Sequence, residues 1–248
     1  MKIILWIIVA VIAVMVLPFL LLFLFLFICG LFVDTKKQYD RDSRFYRALL
    51  DGSTTFILWC LGVRYNIIGE ERFPPSGNFL FISNHRSNYD PIIQWTVFKR
   101  YKLSFISKKE NFRIPMYGRI IHRCCFMPID RKSPRKAMET VNRAARLLTE
   151  TENSVGVYPE GKRSKECKVL PFHSGVLKTA QKAGKPIVVS TIEGTENIFR
   201  NIKRLRKTVV TIRILETIDA DRVRSLKTSE LSEYCAGLMK NELEEHRS

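Results

Sequence analysis

The sequence predicts an α/β domain, a mixed and largely parallel sheet flanked by helices, with an N-terminal membrane helix ahead of it. Three observations carry this. Short apolar runs alternate with helix-length stretches from about residue 63 onward. Ile3–Val33 contains no charged residue. Between these regions lies a stretch that mixes arginines with aromatic and aliphatic side chains. The expected organisation is therefore 1–62, a membrane helix and a membrane-surface helix, and 63–248, one α/β domain.

At 1.5 Å per residue, Ile3–Val33 makes a helix of about 46 Å, against a hydrocarbon core of about 30 Å. It is long enough to span with tilt, or to bend at Pro18 and lie within one leaflet. A cleaved signal peptide would have a shorter apolar region ending in small residues, whereas Phe23–Phe27 is bulky. Phe27 and Ile28 likewise argue against a lipoprotein site at Cys29. Only Lys2 precedes the segment, while Lys36, Lys37, Arg41, Arg44 and Arg47 follow it. The positive-inside rule then places the C-terminal part on the cytoplasmic side. Tyr39–Leu61 reads either as a helix on the bilayer surface, basic first and apolar later, or as an ordinary core helix.

The expected strands are Arg64–Ile68, Phe79–Ser83, Leu103–Ile106, Phe126–Ile129, Ser154–Tyr158, Ile187–Thr191 and Val209–Leu215. The expected helices are Pro91–Lys99, Pro115–Arg123, Arg135–Thr149, Ser174–Ala183 and Ser229–Glu245. Pro74, Pro75 and Gly77 mark a turn before the second strand.

Composition narrows the partners. Among 248 residues, 46% are hydrophobic, and 41 Lys and Arg stand against 24 Asp and Glu, a net charge of +17. Anionic lipid, phosphorylated small molecules and nucleic acid all suit a basic surface, but no nucleic-acid-binding module accompanies the charge here. The six cysteines form no Cys-x-x-Cys pair and no zinc-spaced cluster, and read as reduced thiols. His122 and His246 read as surface residues. The run Arg200, Lys203, Arg204, Arg206 and Lys207 reads as a solvated or membrane-facing helix, with a CoA contact as the alternative.

Chemistry concentrates where strands end. Asn84-His85-Arg86-Ser87-Asn88-Tyr89-Asp90-Pro91 follows the second strand directly. On one continuous helix His85 and Asp90 would lie about 140° apart. Pro91 instead suits a first helical turn, which makes Asp90 an N-cap and leaves His85 on a loop able to fold back onto it. A histidine held by a carboxylate is a general base for a hydroxyl. An N-cap aspartate beside an unrelated loop histidine fits the same spacing. Tyr158-Pro159-Glu160-Gly161-Lys162-Arg163-Ser164 follows another strand, with Gly161 for a tight turn and donors suited to a phosphate. Lys108, Lys109 and Arg113 follow a third strand and Arg131 a fourth.

In order and spacing these segments resemble the four blocks of the glycerolipid acyltransferase family, in its bacterial 1-acylglycerol-3-phosphate acyltransferase branch. The first block, His-x4-Asp, is matched by His85 and Asp90. Cys125-Phe126-Met127-Pro128-Ile129-Asp130-Arg131 is similar to the second, and Pro159-Glu160-Gly161-Lys162-Arg163-Ser164 to the third. Pro186-Ile187-Val188-Val189 is similar to the fourth. Lys108-Lys109-Glu110 and Leu170-Pro171-Phe172 also match in place, so the likeness runs from about Val63 to Leu215. Three positions depart from the pattern: Cys125 replaces a Gly, Lys162 a Thr, and His173 a common Lys.

The resemblance implies a glycerol-3-phosphate acyltransferase-like fold. It implies that His85 takes the acceptor hydroxyl's proton while Asp90 orients the ring. Lys108, Arg131, Glu160, Gly161, Lys162, Arg163 and Ser164 are the implied phosphate-binding set. The implied reaction moves an acyl group from acyl-CoA or acyl carrier protein to the sn-2 hydroxyl of lysophosphatidic acid, giving phosphatidic acid at an anionic membrane, with no cofactor and no metal. Another lysolipid or a lyso-ornithine lipid is the alternative acceptor within the family. A non-catalytic membrane lipid binder is the alternative outside enzymes.

Overall fold

The computed structural model describes residues 2–164 and 166–245, without the side chains of Leu5, Ile8, Val11, Ile12 and Met15. His246 lies outside the described residues. In chain order the elements are α1 (Lys2–Leu31), α2 (Arg44–Cys60), β1 (Val63–Ile68), β2 (Leu80–Ser83), α3 (Tyr89–Val97), β3 (Ser104–Lys108), α4 (Tyr117–Arg123), β4 (Met127–Ile129), α5 (Pro134–Glu150), β5 (Val155–Val157), α6 (Lys178–Ala183), β6 (Ile187–Glu193), α7 (Ile198–Lys203), β7 (Thr208–Ile218), α8 (Ala220–Ser225) and α9 (Thr228–Glu245). Each expected strand is present, displaced by a few residues at its ends. The short helix α8 is an addition, started by Asp219, whose carboxylate accepts the Arg222 N–H.

The strands form one seven-stranded sheet in the order β1-β7-β6-β2-β5-β3-β4. Every pairing is parallel except β6 with β7. The parallel strands need crossover connections, which α3, α4, α5 and α6 supply. Helices on both faces leave the inner strands with no wet side, so they read as continuous apolar runs. Side chains alternate along β2 and the residue before it. Phe79 and Phe81 enter an aromatic core with Trp95, Phe98, Phe105 and Phe126. Leu80 and Ile82 enter an aliphatic core with Val155, Val157, Leu148, Ala180 and Met239.

The N-terminal expectations change most. Among the described residues no helix is long and apolar enough to cross a membrane. The C-terminal part of α1 turns toward protein instead: Leu26 and Cys29 are buried, and Tyr46 Oη donates to the Cys29 carbonyl at 2.9 Å. Arg41 and Arg44, before and at the start of α2, are exposed, but Arg47 is not offered to lipid. Arg47 is buried, ion-paired to Asp42 at 2.6 Å and bonded to the Leu103 and Cys124 carbonyls. Leu50 and Leu58 of α2 sit in the aromatic core, so packing is continuous across the expected boundary at 62/63. The core-helix reading holds for that face, while Phe45 and Trp59 stay exposed on the side away from it.

Candidate active site

Five strands run the same way, so the segments after β2, β3, β4, β5 and β6 gather along one edge of the sheet, where α/β folds hold ligands. His85 stands there after β2. Its Nδ1 lies 2.8 Å from Asp90 Oδ2. Asp90 is wholly buried and His85 keeps 17% of its side chain exposed. A carboxylate at Nδ1 selects the Nδ1–H tautomer, which leaves the Nε2 lone pair free to accept a proton.

Asp90 does not cap α3, as its spacing before Pro91 had suggested. The helix begins at Tyr89, so Pro91 falls at its third residue, where the missing N–H has no helical partner to lose. The Asp90 carboxylate faces backward instead. Oδ2 accepts the N–H groups of Arg86 at 2.6 Å and Ser87 at 2.8 Å, besides the histidine. Oδ1 accepts the Thr195 hydroxyl at 2.5 Å. With these donors satisfied, the carboxylate's field and orientation are fixed by the fold.

The imidazole also has a floor. Tyr158 stacks on it with centroids 4.2 Å apart, and Phe105 stacks behind Tyr158 at 5.5 Å. The Tyr158 hydroxyl donates to Gln94 Oε1 at 2.6 Å, and Gln94 donates to Ser83 Oγ at 2.9 Å. This column depends on Gly156: a Cβ there would stand 2.5 Å from Cε1 of Phe105. Burial first, then the charge of Asp90, pushes the Tyr158 hydroxyl far above its ordinary range, so it stays a neutral donor.

The Pro159–Ser164 turn divides into two groups. Glu160, expected at the phosphate, is buried and turned inward, accepting the His85 N–H at 3.0 Å and the Leu170 N–H at 3.3 Å. Burial pushes its carboxyl up to about 7, against the pull of those two N–H groups. Ser164, also buried, donates its N–H to the His85 carbonyl at 2.8 Å, and its hydroxyl accepts the Lys168 N–H. These two residues hold the histidine's backbone from within the fold. Gly161 makes the turn at φ 68, with the His173 ring against it where a Cβ would stand 2.8 Å from Cδ2. Lys162 and Arg163 point outward, exposed. Lys108 and Arg131 are exposed on the neighbouring strand ends, since Lys108 pairs with Ile129 in the β3/β4 ladder. Among the described residues none of these four cations has an ion-pair partner. Lys109, by contrast, is committed to Asp130 at 2.5 Å. Adjacent strands are about 4.8 Å apart, so the edge from β2 to β4 is about 14 Å long. That is within reach of long basic side chains from both ends.

Three contributors escape sequence reasoning. Thr195 is 105 positions from Asp90, and nothing in a Gly-Thr pair after a strand points to it. Tyr158 reads as a strand residue. Arg86 is largely buried, paired with Glu193 at 3.3 Å and Glu196 at 3.5 Å, which ties the histidine loop to the end of β6. Asn84 adds a reciprocal clamp, donating to the Ile192 carbonyl and accepting its N–H. Cys124 and Cys125 are buried core thiols: burial raises the thiol pKa of Cys124, and that of Cys125 to about 12. Cys125 adopts φ 59, the left-handed region that suits the glycine usual at that position. His122 Nε2 lies 2.8 Å from the Lys37 carbonyl, joining α4 to the segment after α1.

Comparison with known proteins agrees with this geometry. The family model described as Acyltransferase matches residues 64–193, just over half of the chain. The chain is 28% identical over 169 residues to the 1-acyl-sn-glycerol-3-phosphate acyltransferases of Salmonella typhimurium and Escherichia coli, covering 68% of each chain in both cases. It is 30% identical to the Haemophilus influenzae protein of the same name, over 67% of this chain and 68% of that one. The fold is similar to the crystal structure of the 1-acyl-sn-glycerophosphate (LPA) acyltransferase PlsC from Thermotoga maritima. The TM-score is 0.66 at 22% identity, over 90% of this chain and 88% of that one. The likeness in sequence and the matching blocks at one sheet edge lead to one statement: this chain belongs to the Acyltransferase family.

Proposed function

We infer that this chain transfers a fatty acyl group from a thioester donor to the sn-2 hydroxyl of 1-acylglycerol-3-phosphate, forming phosphatidic acid. The observation that carries this is the His85–Asp90 pair, with Nδ1 held by the carboxylate, on the same sheet edge as exposed Lys108, Arg131, Lys162 and Arg163. The names of the bacterial relatives support the same substrate and product.

The reaction is a direct transfer. His85 Nε2 takes the proton of the acceptor hydroxyl as its oxygen attacks the thioester carbonyl carbon. The tetrahedral oxyanion collapses, the C–S bond breaks, and the imidazolium returns the proton to the leaving thiolate. Asp90 stabilises the imidazolium and fixes the ring's tautomer. The donor is acyl-CoA or acyl carrier protein. Lys162 and Arg163, with Lys108 and Arg131 beyond them, take the acceptor's phosphate. Several free cations suit a dianionic phosphomonoester better than a zwitterionic head group, and Lys162 strengthens that bias.

The site works at an anionic membrane surface. Exposed Trp6, Leu17, Leu20 and Phe23 on α1, with Phe45 and Trp59 on α2, are the apolar surface offered to lipid. Such a surface can insert without crossing, with the catalytic domain on the cytoplasmic side.

The test is a purified full-length protein given labelled acyl-CoA or acyl carrier protein and a panel of lysolipids, with products resolved. Lysophosphatidic acid should be consumed fastest, and His85→Ala should not turn over at a comparable rate. Preference for a zwitterionic lysolipid would overturn the acceptor assignment.

A further inference from the structure

Beyond α7 the chain turns at Lys203-Arg204-Leu205-Arg206-Lys207 and enters β7 at Thr208. Leu205 stands at the tip of this turn, 97% exposed. It adopts φ 51, a left-handed conformation that costs a leucine energy a glycine would not spend. The turn is nevertheless well built. The Asn201 carbonyl accepts the N–H groups of Arg204 and Arg206 at 3.0 and 2.9 Å, Leu205 donates to the Ile202 carbonyl at 3.0 Å, and Asn201 Nδ2 reaches Thr208 Oγ1 at 3.1 Å. Packing does not explain an ordered turn that lifts its leucine into solvent.

The surroundings say what does. Residues 198–209 contain no acidic side chain, and Arg200, Lys203, Arg204, Arg206 and Lys207 surround the leucine. Phe199 and Val209 are exposed on either side of the tip. The turn also abuts the end of α2: Lys207 Cγ lies 3.3 Å from where a Cβ would stand on Gly62, and the Thr208 N–H donates to the Gly62 carbonyl at 3.1 Å. Exposed Trp59 is on that end of α2.

α1 points the same way. Phe19 packs on Phe56 at 5.5 Å while Tyr46 bonds the Cys29 carbonyl, so α1 and α2 run antiparallel. Residues before Phe19 therefore pass the end of α2 by about 20 Å. Because β7 is antiparallel to β6, its first residues lie on the sheet edge where His85 stands. Three features thus share one end of the molecule: the apolar start of α1, Trp59, and the Leu205 turn.

We propose that the 203–207 turn is a second membrane contact, in which Leu205 enters the interface of an anionic bilayer and the flanking Lys and Arg engage its phosphates. This rests on the reading of the protein as an enzyme of the membrane surface. One helical contact leaves the domain free to roll about its axis. A second contact fixes which edge faces the lipid, and here it is the edge that carries His85. Each cation near an anionic leaflet strengthens binding about fivefold, and one inserted leucine about tenfold.

The experiment uses the full chain with Leu205→Gly, which keeps the turn's backbone conformation, and the double variant Lys203→Glu/Arg206→Glu. Partition onto vesicles with and without phosphatidylglycerol is measured by sedimentation at low and high salt. Turnover of a short-chain, dispersed acceptor is measured in parallel. Leu205→Gly should bind both kinds of vesicle about tenfold more weakly. The charge variant should weaken binding to anionic vesicles alone, at least tenfold at low salt and less at high salt. Dispersed turnover should stay within about twofold of wild type. Wild-type partition in both variants would overturn the proposal. So would a raised donor KM with unchanged partition, which would make the turn a donor contact. Partition does not depend on turnover, so an inactive wild type would overturn the acyltransferase reading alone and leave this one decided by the vesicles.

Discussion

The His85 loop and the Lys162–Arg163 tip are neighbours in space and opposites in construction. Around His85 the protein occupies its own carboxylate: Asp90 accepts from the imidazole, two backbone N–H groups and Thr195. Glu160 and Ser164 hold the histidine's backbone from the other side. At the tip, Lys162 and Arg163 are exposed and unpaired among the described residues. On the proposed mechanism a general base has to be in place before substrate arrives, because orientation set by the fold costs nothing at the moment of reaction. The cations have to be available, because an arginine already paired to a carboxylate would have to lose one partner to gain another. The same short sequence block serves both needs, with Glu160 and Ser164 facing inward and Lys162 and Arg163 facing outward.

The sharpest way to break the comparison is at the base. His85→Ala should lower kcat by roughly 10²–10⁴-fold, the usual worth of a positioned general base, with little change in acceptor KM. Asp90→Asn should lower kcat at least about 10²-fold, because an amide cannot both accept the Nδ1 proton and serve the remaining donors. Steady-state kinetics on a dispersed acceptor reads both. Near-normal kcat in His85→Ala would leave the ordered loop without its purpose.

How much of this was legible in the sequence follows the same division. Strand and helix positions were legible, because both faces of the sheet are covered, so the inner strands stand out as short continuous apolar runs between stretches of helical length. His85 and Asp90 were legible as a pair, but the direction in which Asp90 faces was not. Capping geometry depends on where α3 begins, and a proline at its third residue looks locally like one at its first. Glu160 entered the phosphate-binding set through the resemblance, as part of the Pro-Glu-Gly block, and nothing local marks it as buried. Its burial depends on the β2 and β5 ends meeting side by side, which only the sheet order supplies. Arg47 was misread for a similar reason. A basic residue at the start of an amphipathic helix suits lipid headgroups, and only the tertiary fold brings Asp42 and the carbonyls of Leu103 and Cys124 to it.

A smaller effect is expected where the comparison assigns cations to substrate. Arg163→Ala should raise acceptor KM about 10- to 150-fold, the loss of a charge-assisted hydrogen bond of roughly 1.5–3 kcal/mol. Arg131→Ala should act in the same direction. Donor KM and thermal stability should barely move, since both side chains are exposed and have no ion-pair partner among the described residues. A rise in donor KM alone would transfer these arginines to the thioester's carrier. Thr195→Val should lower kcat by about tenfold, because it leaves Asp90 Oδ1 buried without its donor. Thr195→Ser should restore the rate. A purely structural threonine would lower the melting temperature and leave the pH profile of kcat unshifted. A threonine acting through Asp90 should shift the profile's acidic limb.

The smallest expected effect concerns the charge of the scaffold itself, and it is read in stability. Burial pushes Glu160 up to about 7 from an ordinary value of 4.5. A carboxyl whose folded pKa lies above its unfolded one holds its proton more tightly in the native state. Its contribution to stability is therefore fully present below about 4.5 and is lost as pH rises through about 7. Asp51, pushed up by burial from 3.8 to about 6, has the same sign over a lower window. Wild-type stability should thus decline with rising pH across this range. Glu160→Gln carries no charge at any pH, so its decline should be shallower, and what remains at the acid end belongs to Asp51. The glutamine carbonyl can still accept the His85 N–H, so kcat should survive within about tenfold. Denaturant midpoints measured from about pH 5 to pH 8 test this, with Glu160→Gln/Asp51→Asn as the flattest curve. If the Glu160→Gln curve runs parallel to wild type throughout, Glu160 is ionised in the native state at all these pH values. The two N–H groups from His85 and Leu170 would then outweigh burial, and the histidine loop would stand on a fixed negative charge rather than on a neutral acid that ionises near neutrality.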